Sequence, residues 1–281
     1  MFQKRVTLSC DTGPEPYLLF ANRADIRRVG PAEYSTVVTG QQNVIALDVH
    51  LGKGLVFWSD ITADRVRSAP LHPTGDPQVE DSCLIQLNGS ELVPSEFDCF
   101  PITVSCRLSL DKLAKPLGGF TTVEVRDLAS SGLVSPGGLA VDWSGDLIFW
   151  TDSGMARLEV SRLDGSARRV LVWRDVEKPR AVAVHPGLAA LYWTDWGTRP
   201  RIERAAMDAS RRAVLVDSGL FWPNGLTVDY PARRLYWADA KHHVIESVGL
   251  DGRHRRRVLD HGECSSYMSD SISLSYGFHN R

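Results

Sequence analysis

Tyr192-Trp193-Thr194-Asp195 follows the alternating run Ala181-Val182-Ala183-Val184-His185, and the same pairing recurs along the chain. Phe57-Trp58-Ser59-Asp60 follows Val44-Ile45-Ala46-Leu47-Asp48, Phe149-Trp150-Thr151-Asp152 follows Gly138-Leu139-Ala140-Val141-Asp142, and Tyr236-Trp237-Ala238-Asp239 follows Gly225-Leu226-Thr227-Val228-Asp229. The last three aspartates are 43 and 44 residues apart. Runs of this length and alternation read as buried strands. Downstream, Ala156 to Arg162 and Arg168 to Val172 flank Asp164-Gly165, while Val244 to Leu250 and Arg255 to Leu259 flank Asp251-Gly252. Asp-Gly between such runs is a hairpin signal. Each unit is therefore four short antiparallel strands in about 43 residues. So small a sheet buries both faces only when neighbours stack on it, which is what the blades of a β-propeller do. The expected fold class is all-β.

The repeat also shows where the pattern breaks. Leu18-Leu19-Phe20-Ala21-Asn22 matches a second strand, Ile26-Arg27-Arg28-Val29 a third and Thr36-Val37-Val38 a fourth, so the first unit lacks its innermost strand. Asp60 and Asp152 are 92 residues apart, about 49 more than one period. The stretch 72–121 has no repeat signature and holds Cys83, Cys99, Cys106 and five of the fifteen prolines. It is expected to be an insert at the tip joining the third and fourth strands of its blade. After Asp260-His261-Gly262 a Ser-rich tail, 261–281, carries no further repeat and is expected to be unrelated and disordered. The ring over 17–260 is expected to be incomplete, with about five blades and no closing strand.

Composition narrows the function classes. With 43% apolar and 23% charged residues the chain is globular, and a net charge of -2 gives no general drive toward nucleic acid. No apolar run approaches the roughly 18 residues that would span a bilayer, so no membrane insertion is expected. Residues 1–10 lack a stretch of signal-peptide character. Five cysteines leave one unpaired even in a fully oxidised chain. No Gly-x-Ser-x-Gly, His-Glu-x-x-His, Cys-x-x-Cys or phosphate-cradling loop occurs, so no catalytic residue, metal site or cofactor is assigned. His242-His243 is the nearest thing to a metal pair, and a solvated loop is the favoured reading of it.

Regular recurrence gives the tetrapeptides a structural role. Trp58, Trp150, Trp193 and Trp237 are expected to pack between blades, and Asp60, Asp152, Asp195 and Asp239 to accept backbone N–H bonds at the strand end. The loops before each first strand and after each second strand share one face. They bring Arg23, Arg180, Trp196, Arg199, Trp222, Asn224 and His242 toward the channel mouth. Non-repeated Trp and Arg at loop tips are what binding hot spots use. Arg253-His254-Arg255-Arg256-Arg257 is a candidate for heparan sulfate, with a solvated protective edge as the alternative. Asn88-Gly89-Ser90 is a glycosylation sequon within the insert.

These residues resemble the Tyr-Trp-Thr-Asp (YWTD, class B repeat) propellers of the low-density lipoprotein receptor family, over about 17–71 and 122–260. The motifs are Leu-Leu-Phe-Ala-Asn-Arg at 18–23, Glu177-Lys178-Pro179-Arg180-Ala181, Tyr192 to Gly197, Phe221 to Leu226, and Asp239 to Glu246. The resemblance implies a six-bladed family fold and a non-enzymatic extracellular recognition module on the outer side of a plasma-membrane receptor. It also makes Cys10 a remnant of a preceding growth-factor-like module at 1–16. In Wnt co-receptor members, positions matching Arg23, Arg180, Trp222 and Asn224 grip an Asn-x-Ile-type loop of ligands and antagonists. The implied partners are thus agrin-like or Wnt-antagonist-like proteins. Gln42, Asn43 and Gly137 stand where those members carry acids, which makes the rim less acidic. The alternatives are a calcium-dependent propeller hydrolase and a truncated, non-functional isoform.

Overall fold

The computed structural model describes residues 18–29, 34–71 and 123–259, and it is all-β with one repeating sheet. Blade 1 has three strands, β1 (Leu18–Asn22), β2 (Asp25–Val29) and β3 (Tyr34–Val38), in the order expected for a unit without its innermost strand. Four four-stranded antiparallel sheets follow. Blade 2 is β4 (Val44–His50), β5 (Leu55–Asp60), β6 (Arg65–Pro70) and β7 (Arg126–Ala129). Blade 3 is β8 (Pro136–Asp142), β9 (Leu147–Asp152), β10 (Arg157–Arg162) and β11 (Arg169–Val172). Blade 4 is β12 (Pro179–His185), β13 (Ala190–Asp195), β14 (Arg201–Ala206) and β15 (Ala213–Val216). Blade 5 is β16 (Pro223–Asp229), β17 (Arg234–Asp239), β18 (Val244–Gly249) and β19 (Arg256–Leu259). The five cysteines, the sequon at Asn88, the insert and the tail lie outside the described residues. The insert's flanks, β6 and β7, pair directly with each other.

Successive first strands lie side by side, β4 against β8, β8 against β12 and β12 against β16. The core is accordingly a series of layers between blades. Trp58 packs with Leu19 and Ile26 of blade 1, Trp150 with Phe57 and Val66 of blade 2, Trp193 with Phe149 and Leu158 of blade 3, and Trp237 with Tyr192 and Ile202 of blade 4. All four indoles are fully buried. An alternating strand buries one face per neighbour, so each Trp belongs to the seam with the blade before it. Replacing Trp193 by Ala should therefore destabilise the fold by about 3 to 5 kcal/mol, read from chemical denaturation. An unchanged midpoint would refute its place in the seam.

Polar bonds also cross the seams. The Ser59 hydroxyl donates to the Gly137 carbonyl at 2.6 Å, and the Thr151 hydroxyl to the Arg180 carbonyl at 2.7 Å. Between β4 and β8, Asp48 Oδ2 accepts the Val141 N–H at 2.8 Å, while Oδ1 accepts that of Val49. Burial pushes the Asp48 carboxyl up to about 7, against the two N–H groups that favour its charge. The folded chain thus keeps this proton to near pH 7, while the unfolded chain releases it near 4. Stability must fall as pH rises through that window. Asp48→Asn should remove that slope, leaving a variant whose stability relative to the parent increases between pH 4 and 7 by on the order of 3 kcal/mol. Parallel pH profiles for the two proteins would refute the assignment.

Candidate functional site

The face expected to carry the site is built by carboxylates. Asp60 accepts the N–H groups of Gln42 and Asn43, which lead into β4, and those of Thr62 and Ala63, which follow β5. Asp152 does the same for Val134, Ser135, Gly154 and Met155, and Asp239 for Phe221, Trp222, Lys241 and His242. Asp195 takes Glu177, Lys178 and Gly197. These aspartates are essentially inaccessible to solvent. A buried carboxylate is tolerable only when it is this thoroughly hydrogen-bonded. The result is a pair of loops fixed to each other at the mouth of every full blade.

A second device, which the sequence reading missed, holds the connectors from outside. Glu159, Glu203 and Glu246 lie opposite Trp150, Trp193 and Trp237 in the strand register, and all three are buried. Each pairs with an arginine from the start of the fourth-strand arm, Arg168, Arg212 and Arg255. That arginine lies over the indole, 5.1 to 5.5 Å from the ring centre, and donates to a connector carbonyl, Ser131, Arg174 or Ser218. Arg157 and Arg201 on the third strands add bonds to Gly132 and Asp175. Blade 2 departs from the scheme. Arg67 stands at the Glu position, and Gln41 accepts from both Arg67 and the Trp58 indole N–H. The regular Glu-to-Arg spacing of nine residues was the available sequence signal.

The first strands begin with a bulge. Register shifts fall at Ile45 in β4, at 137–138 in β8, at 180–181 in β12 and at Asn224 in β16. A bulge re-aims the extra side chain and sharpens the twist. Arg180 and Asn224 thus occupy corresponding places in adjacent blades, both half-buried. No hydrogen bond engages the Asn224 amide among the described residues. Arg23 is exposed, at φ 50, and its carbonyl accepts the Val44 N–H beside β4. It therefore lies at the blade 1–blade 2 seam rather than with the aromatic loops.

Trp196 and Trp222 do come together, edge to face with centroids 6.4 Å apart. Phe221 joins them at 5.5 Å from Trp222 and meets His242 at 6.1 Å, and neither Phe221 nor the nearby lysines had been singled out. Lys178 sits over Trp196 at 5.3 Å and Lys241 over Trp222 at 5.4 Å. The group borders a cleft of about 420 Å³ closed by Glu177, Thr198 and Pro200. Phe221 and Trp222 remain 45% and 39% exposed. Here is an aromatic ridge capped by two ammonium groups, on loops whose backbones cannot easily shift.

Comparison with known proteins places this architecture. Residues 146–186 and 190–230 match the low-density lipoprotein receptor repeat class B. Low-density lipoprotein receptor-related protein 4 of Mus musculus is 47% identical over 252 residues, covering 89% of this chain and 11% of that protein. Low-density lipoprotein receptor-related protein 5 of Mus musculus is 37% identical over 189 residues, covering 66% and 9%. The chain spans about a tenth of the length of these relatives. Among solved structures, a chain of the nidogen/laminin complex superposes with a TM-score of 0.65 at 28% identity, over 86% of this chain and 77% of that one. A gluconolactonase, XC5397 of Xanthomonas campestris, superposes at 0.51 with 16% identity over 76% and 61%, a likeness of fold alone.

The seam beneath Arg180 depends on glycine. A Cβ at Gly138 would meet the Arg180 carbonyl at 2.5 Å and the Ala181 Cα at 2.7 Å, both backbone atoms. Gly138→Ala should therefore force blades 3 and 4 apart at the mouth and cost about 1 to 3 kcal/mol, measured by denaturation. A variant as stable as the parent would show that this seam gives way freely.

Proposed function

Since this chain is built of low-density lipoprotein receptor class B repeats and is homologous to the propeller regions of low-density lipoprotein receptor-related proteins 4 and 5, we propose that it is a non-enzymatic, extracellular ligand-recognition module. Its docking surface is the face bearing Trp196, Phe221, Trp222 and Asn224. The observation that carries this is the exposed aromatic ridge on carboxylate-fixed loops beside an Asn amide with no partner among the described residues. A rigid apolar wall next to a free donor and acceptor suits a protein loop that presents one amide and one aliphatic side chain. The ligand in this reading carries an Asn-x-Ile-type loop, of agrin-like or Wnt-antagonist-like character, gripped by Arg180, Trp222 and Asn224, with Arg23 contacting it from the far side of the mouth. Lys178 and Lys241 favour an acidic flank on the partner.

A calcium-dependent hydrolase finds less support, since the relatives at 37% and 47% identity are receptor-related proteins and the gluconolactonase likeness is one of fold alone.

Binding of an Asn-x-Ile loop peptide, measured by biolayer interferometry, tests the proposal. Trp222→Ala and Asn224→Ala should each weaken it by about 30-fold, the range of a hot-spot residue, with thermal melting unchanged. Parent-like affinity in both variants would sink it.

A further inference from the structure

The opposite face carries the turns between first and second strands and the hairpins between third and fourth strands. Between blades 4 and 5 these elements enclose an open groove of about 490 Å³. One wall is the hairpin end of blade 4 at Ala206 and Arg211, the other is the blade 5 hairpin at Gly249–Asp251 together with Arg233, and Tyr192 and Arg204 lie between them. Two of the three arginines hold unusual backbone positions. The left-handed residue closing the hairpin is Ala167 in blade 3, Arg211 in blade 4 and His254 in blade 5, and that closing the inner turn is Gly54, Asp146, Ala189 and Arg233 in blades 2 to 5. A non-glycine residue at positive φ is disfavoured and long side chains gain nothing there. Arginine at both positions, on the two sides of one groove, is not explained by the turns themselves.

The guanidinium groups of Arg211 and Arg233 enter no hydrogen bond or salt bridge among the described residues. Neighbouring Arg212, by contrast, is consumed by Glu203 and two connector carbonyls. Arg204 is anchored by donating to the Leu250 carbonyl at 3.0 Å, which holds it in the groove. Arg204 and Arg233 both lie close enough to Tyr192 to oppose the rise that burial imposes on its phenol. Asp208 and Asp251 also stand here, each held in its ionised form by the backbone N–H of its own turn, Ser210 and Arg253. Arg204, Arg211 and Arg233 outnumber these two carboxylates, so the groove is net positive, with a guanidinium on each wall and one between them.

We propose that this groove binds a linear sulfated polysaccharide through Arg204, Arg211 and Arg233. Planar guanidinium groups match the paired oxygens of a sulfate ester, and three of them around an open channel suit a repeated anion rather than one. The small side chains of Ala189, Ala190 and Ala205 leave the three guanidinium groups open to a chain laid along the groove. The site lies on the face away from Trp222, so it is independent of the proposed protein-docking function.

Heparin affinity chromatography and titration calorimetry on residues 1–281 test it at about physiological ionic strength. The Arg211→Ala/Arg233→Ala double variant should lose about tenfold or more in heparin affinity and elute at lower salt, with an unchanged melting curve. Trp222→Ala and Asn224→Ala should bind heparin as the parent does, which separates failure here from failure of the docking proposal. Heparin binding that survives in the double variant but vanishes in Arg253→Ala/Arg256→Ala would overturn the assignment in favour of the outer strand. Equal affinity for desulfated heparin or an oligoglutamate peptide would overturn the ligand class.

Discussion

One side chain per blade, the aspartate that ends the second strand, organises the recognition face. Asp60, Asp152 and Asp239 each take four backbone N–H groups, two from the loop entering the blade and two from the turn leaving its second strand. Neither loop has a strand partner for those donors, and leaving them unsatisfied costs about 1 to 3 kcal/mol each. These hydrogen bonds are made to backbone N–H groups, so they fix the conformation of both loops whatever side chains the loops carry. The two residues that bind the carboxylate are Gln42-Asn43, Val134-Ser135, Glu177-Lys178 and Phe221-Trp222 in successive blades. An identical scaffold thus displays two amides, a valine and a serine, two opposite charges and two aromatic rings around one mouth. The aromatic ridge is a local choice at a repeated address.

Beneath this layer the indole, glutamate and arginine form a unit that links core to connector. The tryptophan fills the seam, the glutamate beside it is buried at a cost, and the arginine offsets that cost while reaching out to carbonyls that no strand satisfies. Blade 2 shows what the unit requires. With Arg67 on the third strand, the acceptor comes from Gln41 in the entering loop and the counter-charge from Asp127 on β7. The charges have been permuted, and the Trp58 indole N–H gains in Gln41 an acceptor that those of Trp150, Trp193 and Trp237 lack among the described residues.

Most of the architecture could be read from the sequence because it rests on short-range periodicity. The tetrapeptides and the alternating first strands follow from counting along the chain, as do the three strands that blade 1 has among the described residues. Pairings that cross strands were harder to see. Arg255 looked like one member of a solvated basic run, yet its charge is spent on Glu246 and the connector at Ser218. In the sequence Trp196 and Trp222 are isolated non-repeated aromatics. Their contact, and the addition of Phe221, Lys178 and Lys241, depends on how two loops from different blades meet in space. The bulges at Arg180 and Asn224 leave no mark in composition at all, since they are a mismatch in count between paired strands.

Alternation also explains why a nearly neutral chain can carry faces of opposed character. In the fourth-strand arms, arginines occur beside one another or beside a turn residue, and successive side chains point to opposite sides. Arg168, Arg212 and Arg255 turn inward to a glutamate, whereas Arg169, Arg211 and Arg256 are exposed. A sum of 32 basic against 34 acidic residues records both sets equally. The inward set is cancelled by its partners and contributes to folding, so the charge available to a ligand is only the outward remainder. On the face of the hairpins that remainder is positive between blades 4 and 5, because Arg204, Arg211 and Arg233 outnumber Asp208 and Asp251 there. Net charge is thus a poor guide to this surface, and the register of each arginine is the quantity that decides what it can bind.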